Sequence, residues 1–241
     1  MSVHLVGGGP ETGATGLLDP FHAEVRGRAD GARRLPRVVL VVVDGRGAAR
    51  RFLPAYQRAL DGVQVEPVLT APGRPAPAAA FGDVDGIVVG GGPTPAYLDG
   101  VGPAAAAIGA AVRSGVPYLG FSAGAMVAPG TALVSGHLLA GRELCPAEWA
   151  EDPGELTVRP GLGLVGFPVD VHTAQAGTLG RTVALVGSGA APVAVGIDED
   201  TCLTVPGVEA DPADGQVTGG GAVWVVRRSG DATEVTRRTA G

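Results

Sequence analysis

Lysine is absent from this 241-residue chain; all 18 basic residues are arginine. That excludes a Walker A lysine, a Schiff-base lysine and a Ser–Lys dyad. Cysteine is scarce. Cys145 and Cys202, with four histidines, make neither a disulfide framework nor a spaced zinc site, and no metal or other cofactor is expected. Aromatic residues are only 4% of the chain. No apolar run is long enough to span a membrane, and the N-terminus has no charged segment leading into a long apolar one. A soluble, cytoplasmic protein is expected. With a net charge of -6 and no basic face, nucleic acid is not an expected partner. The arginine pairs at 33–34, 50–51, 227–228 and 237–238 read as scattered solvated charges.

Hydrophobic residues make up 45% of the chain, enough for a sizeable core, and Gly 41 and Pro 20 are high. The Ala, Gly, Pro, Val and Arg bias points to a GC-rich bacterial genome. The length suits one large α/β domain or two small ones, and a single domain over residues 1–241 is the simpler reading. Arg37–Val43 is an uninterrupted β-branched run, as in a strand buried on both faces. Helices are expected around Asp19–Arg28, over 47–61 with Phe52, Tyr56 and Leu60 at helical spacing, and over Pro103–Arg113. Further strands are expected at Val3–Val6, Val63–Leu69, Asp85–Val89 and Val116–Leu119. Pro72–Ala80 reads as a linker or weak helix. This alternation predicts a doubly wound, mostly parallel sheet flanked by helices. Ala132–Leu139, Leu162–Val171, Ala194–Asp198, Cys202–Val205 and Ala222–Arg228 make the second half strand-rich. Residues 141–160 read as a loop or short helix.

Gly120-Phe121-Ser122-Ala123-Gly124 is the most informative stretch. A strand, a tight glycine-flanked turn and a helix would lift Ser122 to the carboxyl edge of the sheet, the geometry of a nucleophile elbow. Three glycine-rich strand ends, 7–9, 90–92 and 120–124, would meet at that edge, where such sheets bind ligands. His172 ends a strand and is the preferred base. His4 reads as structural, His22 as exposed and His137 as part of a polar turn. Asp170 shares the strand face of His172 and is placed to tune it. An acid within Asp198-Glu199-Asp200 is the candidate to orient the imidazole. The order Ser, His, acid differs from the usual α/β-hydrolase order. Asp44-Gly45-Arg46-Gly47 is another strand-end loop, either lining the pocket or a plain turn. Arg181 is read either as an anion clamp or as a helix-surface charge.

Four blocks then resemble peptidase family S51, which contains peptidase E and the cyanophycinases. They are Gly90-Gly91-Gly92-Pro93-Thr94, the elbow with Ala125, Val169-Asp170-Val171-His172 with Leu179-Gly180-Arg181, and Val195 to Thr201. The resemblance implies a class I glutamine amidotransferase-like fold, Ser122 as nucleophile, His172 as base and Glu199 as the acid. It implies oxyanion donors at Ala123 and at Gly91 or Gly92, substrate contacts from Asp170, Arg181 and Thr94, and a homodimer by analogy. The expected substrate is a short peptide, aspartyl or isoaspartyl bonds included. Cyanophycinases carry polar residues where this chain has Pro93, Val171, Ala176 and Thr178, which argues against cyanophycin itself. A different acyl-transfer enzyme on the same scaffold, or a degenerate binding protein, are the alternatives.

Overall fold

A computed structural model describes residues 2–10, 16–31, 34–47 and 49–241, apart from the side chains of Arg46 and Arg50. Arg33 and the Arg50 side chain therefore lie outside the described residues. Arg34 does not stand free in solvent: its guanidinium meets Asp85 at 2.6 Å.

The strands in chain order are β1 (Val3–Val6), β2 (Arg37–Val43), β3 (Gln64–Thr70), β4 (Gly86–Val89), β5 (Tyr118–Phe121), β6 (Thr131–Ser135), β7 (Leu138–Leu139), β8 (Arg142–Glu143), β9 (Thr157–Pro160), β10 (Val169–Val171), β11 (Val193–Ile197), β12 (Thr201–Val205), β13 (Gln216–Gly219), β14 (Ala222–Ser229) and β15 (Ala232–Thr239). The helices are α1 (Asp19–Arg28), α2 (Ala49–Ala59), α3 (Thr94–Val101), α4 (Ala105–Arg113), α5 (Ala123–Val127), α6 (Thr173–Ala176) and α7 (Leu179–Gly187).

The described residues form a seven-stranded sheet in the order β13-β12-β1-β5-β4-β2-β3. The five strands from β1 to β3 run parallel, and β12 and β13 add an antiparallel edge. This is the expected mostly parallel sheet with helices packed against it. The alternating residues of β2 explain why it needs no polar face. Val39 and Val41 enter one apolar layer with Leu5, Ile87 and Val89. Val38, Leu40 and Val42 enter the opposite one with Phe21, Val25, Tyr56 and Leu60. A second sheet, β10-β11-β14-β15, has only its first pair parallel.

The structure departs from the sequence reading in the second half. Leu162–Val171 is a strand only over Val169–Val171. Its earlier part instead donates to the turn after α5, Leu162 N–H to Val127 O at 2.9 Å and Leu164 N–H to Ala128 O at 2.8 Å. Gly161 permits this approach, because a Cβ there would lie 2.2 Å from Pro129 O. Ala132–Leu139 is broken at Gly136, whose φ of +100° is a glycine conformation. Helix α3 and strands β13 and β15 were not expected from the sequence, nor were β8 and β9 within residues 141–160, which read as a loop or short helix.

Gly120 and Gly124 are fixed by packing. A Cβ on Gly120 would fall 2.4 Å from the Gly124 carbonyl, and one on Gly124 would fall 2.2 Å from Val89 O. The clash is with backbone on both sides, so it cannot be relieved by a rotamer change. Gly124→Ala should therefore lower unfolding free energy by about 3 kcal/mol, the upper range for overpacked sites. Urea denaturation checks this; a midpoint equal to wild type would show that α5 moves away at no cost.

Candidate active site

The carboxyl ends of β1, β5 and β10 converge with the β11–β12 connection. Ser122 follows β5 with φ 49° and ψ -109°, a conformation that costs a non-glycine residue about 1–3 kcal/mol. Its N–H donates to Val6 O at 2.9 Å, and the next residues turn at once into α5. His172 follows β10, also left-handed at φ 53°, and its N–H donates to Gly7 O at 3.0 Å. Gly7 must lack a side chain, because a Cβ there would sit 2.1 Å from Asp198 O. These constraints bring the three residues named from the sequence into one chain. Ser122 Oγ lies 2.9 Å from His172 Nε2, and His172 Nδ1 lies 2.7 Å from Glu199 Oε1.

Of the three consecutive acids, Asp198 is structural. Its carboxylate accepts from Ala174 N–H, Ala222 N–H and the Trp224 indole at 2.8–3.0 Å. Asp200 lines the cavity at the turn into β12. Glu199 faces the imidazole, with its own N–H donated to Gln175 Oε1 at 2.9 Å. The other histidines lie elsewhere. His4 bonds Thr204, His22 bonds Ala59 O, and His137 accepts from Gly154 N–H.

The oxyanion donors need one correction. Among the described residues no acceptor meets the N–H of Ala123 or Gly92; Gly92 lines the cavity, while Ala123 is buried at the start of α5. The N–H of Gly91 is engaged: it donates to Tyr56 Oη at 2.6 Å. Of the two glycines named from the sequence, Gly92 holds the open donor.

The candidate substrate contacts also change meaning. Asp170 and Arg181 are 1% and 2% exposed and pair bidentately, Nε to Oδ2 at 2.9 Å and a terminal nitrogen to Oδ1 at 2.5 Å. Asp170 therefore holds Arg181, not the imidazole. The guanidinium is neither a free clamp nor a surface charge, and it further reaches Gly136 O and Trp149 O at 3.4 Å. Breaking such a buried pair from one side leaves an uncompensated charge, which marks it as a brace for the segment over the site. Thr94 is fully buried and covered by Glu151, whose carboxylate accepts from the Thr94 N–H and, at 2.5 Å, from its hydroxyl. Burial pushes the Glu151 carboxyl up to about 7, against the opposing pull of the two Thr94 bonds. The residue is held there at φ 63°.

A cavity of about 770 Å³ opens on Ser122 and His172, within the range of small-molecule sites. Trp149 covers the imidazole, with ring centroids 5.8 Å apart and planes at 35°. Glu148, Glu151, Glu199 and Asp200 all line the cavity, whereas Asp44, Gly45 and Gly47 do not. Asp44 instead accepts from Ala49 N–H at the start of α2. Tyr56, Trp149 and Glu151 are the site residues that sequence reasoning missed. Both cysteines are free and buried. Among the described residues no group of His, Cys, Asp and Glu could hold a metal ion, and no helix is long and apolar enough to cross a membrane.

A crystal structure of a peptidase from an acI-B1 Actinobacterium superposes with a TM-score of 0.68 at 19% identity, covering 100% of this chain and 94% of that one. That likeness shows a shared fold. A candidate peptidase E from Listeria monocytogenes EGD-e is 16% identical over 99% of this chain and 98% of its own, with a TM-score of 0.48. No curated protein matches significantly. The family model described as peptidase family S51 matches residues 49–211, which hold the elbow, His172 and Glu199. The chain belongs to peptidase family S51.

Proposed function

We propose that this S51 peptidase hydrolyses amide bonds of short peptides through Ser122, His172 and Glu199. The observation that carries the reading is the unbroken Ser122–His172–Glu199 hydrogen-bond chain at 2.9 and 2.7 Å. Glu199 holds the Nδ1–H tautomer, which leaves Nε2 to take the serine proton. Ser122 Oγ attacks the scissile carbonyl, and the oxygen of the tetrahedral intermediate is met by the N–H groups of Ala123 and Gly92. His172 then passes the proton to the leaving amine. Water attacks the resulting ester with His172 again as base, and Ser122 is regenerated. A screen of neutral, basic, aspartyl and β-aspartyl dipeptides, read by mass spectrometry, tests this. No cleavage of any of them by folded protein would count against the peptidase and leave the alternative acyl-transfer or binding roles.

The charges around the cavity argue against an acidic side chain beside the cleaved bond. Among the described residues Arg181 is the arginine lining it, and its charge is answered by Asp170. Glu151 occupies the Thr94 end of α3, where a substrate carboxylate would otherwise be favoured. Like charges 4 Å apart repel by about 1 kcal/mol in water and about 4 kcal/mol near a protein surface. Above pH 7, where the Glu151 carboxyl is ionised, Glu151→Gln should therefore raise kcat/KM on aspartyl peptides about tenfold more than on their neutral counterparts. Equal factors on the two series would place Glu151 outside substrate selection.

A further inference from the structure

Tyr56 is brought to the catalytic serine by α2 and is 2% exposed. Its ring packs edge-on against Phe121, the residue before Ser122, with centroids 5.5 Å apart. Its hydroxyl oxygen accepts the Gly91 N–H at 2.6 Å. That bond uses a lone pair and leaves the phenolic proton unspent, and among the described residues no acceptor meets it. Tyr56 nevertheless lines the catalytic cavity. A Cβ placed on Gly91 would lie 3.1 Å from Ser122 Cβ and 3.7 Å from Tyr56 Oη, so nucleophile and hydroxyl converge on one glycine. Tyr97 holds the following peptide group, donating to Gly91 O at 2.8 Å. Gly91 is thus held by two phenols, one on each of its flanking peptide groups, and its N–H is spent on Tyr56.

We propose that Tyr56 is a catalytic residue whose phenolic hydrogen bonds to the developing oxyanion beside the N–H groups of Gly92 and Ala123. The Gly91 N–H, instead of reaching the oxyanion itself, polarises the hydroxyl that does. A hydroxyl that accepts from an amide becomes a better donor, since chained hydrogen bonds strengthen one another. Burial also keeps the phenol's pKa above its ordinary value, outweighing the Gly91 bond, so the proton is present at neutral pH. Tyr56 transfers no proton. The serine proton still goes to His172 Nε2, and Tyr56 only stabilises the charge left on oxygen.

The proposal rests on the serine-hydrolase reading, and one experiment separates the two. A fluorophosphonate phosphonylates an active serine: the Ser122 Oγ–P bond forms, the P–F bond breaks, fluoride leaves, and the P=O oxygen enters the oxyanion site. Wild type failing to label at Ser122 would defeat the hydrolase reading and, with it, this role. With wild type labelling, Tyr56→Phe should slow the second-order rate at least tenfold. Loss of one oxyanion donor typically costs about 10²–10³, and the Gly91 N–H freed by phenylalanine would recover part of it. Incorporating a ring-fluorinated tyrosine at position 56 separates donation from bracing, because it keeps the hydroxyl and makes it more acidic. Labelling at or above the wild-type rate supports proton donation. Labelling as slow as Tyr56→Phe, or a Tyr56→Phe rate within threefold of wild type, overturns it.

Discussion

Ser122→Ala is expected to reduce kcat by about 10⁶, the scale on which nucleophile loss disables a triad. The fold should survive unchanged. Alanine keeps the Cβ, the φ of 49° and the Ser122 N–H bond to Val6 O, and loses only the hydroxyl that meets His172. The cost is therefore chemical, and the melting temperature should stay within a degree or two. Because Ser122 and His172 act as one unit, Ser122→Ala with His172→Ala should be no slower than the serine change alone. Peptide hydrolysis followed by product mass spectrometry decides the matter. Turnover above a thousandth of wild type in Ser122→Ala would show that another group makes the attack.

The next largest effect belongs to Glu199→Gln. A carboxylate accepts from His172 Nδ1–H and leaves Nε2 free for the serine proton. An amide nitrogen turned towards Nδ1 would force the opposite tautomer, and a buried acid changed in this way costs about 10⁴ in kcat. Here the Glu199 side chain is 43% exposed, so a glutamine can rotate its carbonyl towards Nδ1 and water can share the orienting role. The expected loss is thus about 10²–10³ in kcat, with KM little changed because the residue reaches the imidazole and not the peptide. Steady-state kinetics on one cleavable dipeptide measures the split. A loss confined to KM would move Glu199 from orienting His172 to binding substrate.

The parts legible in the sequence were those whose cause is local. The elbow is specified within five residues, because glycine is the only side chain that tolerates the backbone contacts at 120 and 124. The β2 run announced a strand buried on both faces for the same reason, and His172 was singled out by its strand end. Distant pairing was not legible. Nothing in the spacing of Thr94 and Glu151, 57 residues apart, or of Tyr56 and Gly91, 35 apart, indicates that they meet. Tyr56 looked like one more apolar position on a helix face. Arg181 looked available because its partner Asp170, eleven residues earlier, was read as facing the histidine. Strand β15 was missed because ATEVTRRT lies largely exposed along one edge, so burial left no pattern in it.

The placement of β1 has a consequence for how the enzyme comes into being. This four-residue strand, Val3–Val6, lies between β5 and β12, and its Val3 pairs with Val205. During synthesis the β12 side of β1 has no partner until residues 201–205 have emerged. The turn into β12 delivers Glu199, and β11 just before it pairs with β10, the strand that leads into His172. Ser122, the proposed nucleophile, is thus translated long before Glu199, its proposed orienting acid. On the proposed mechanism, the site cannot assemble before Glu199 has been made.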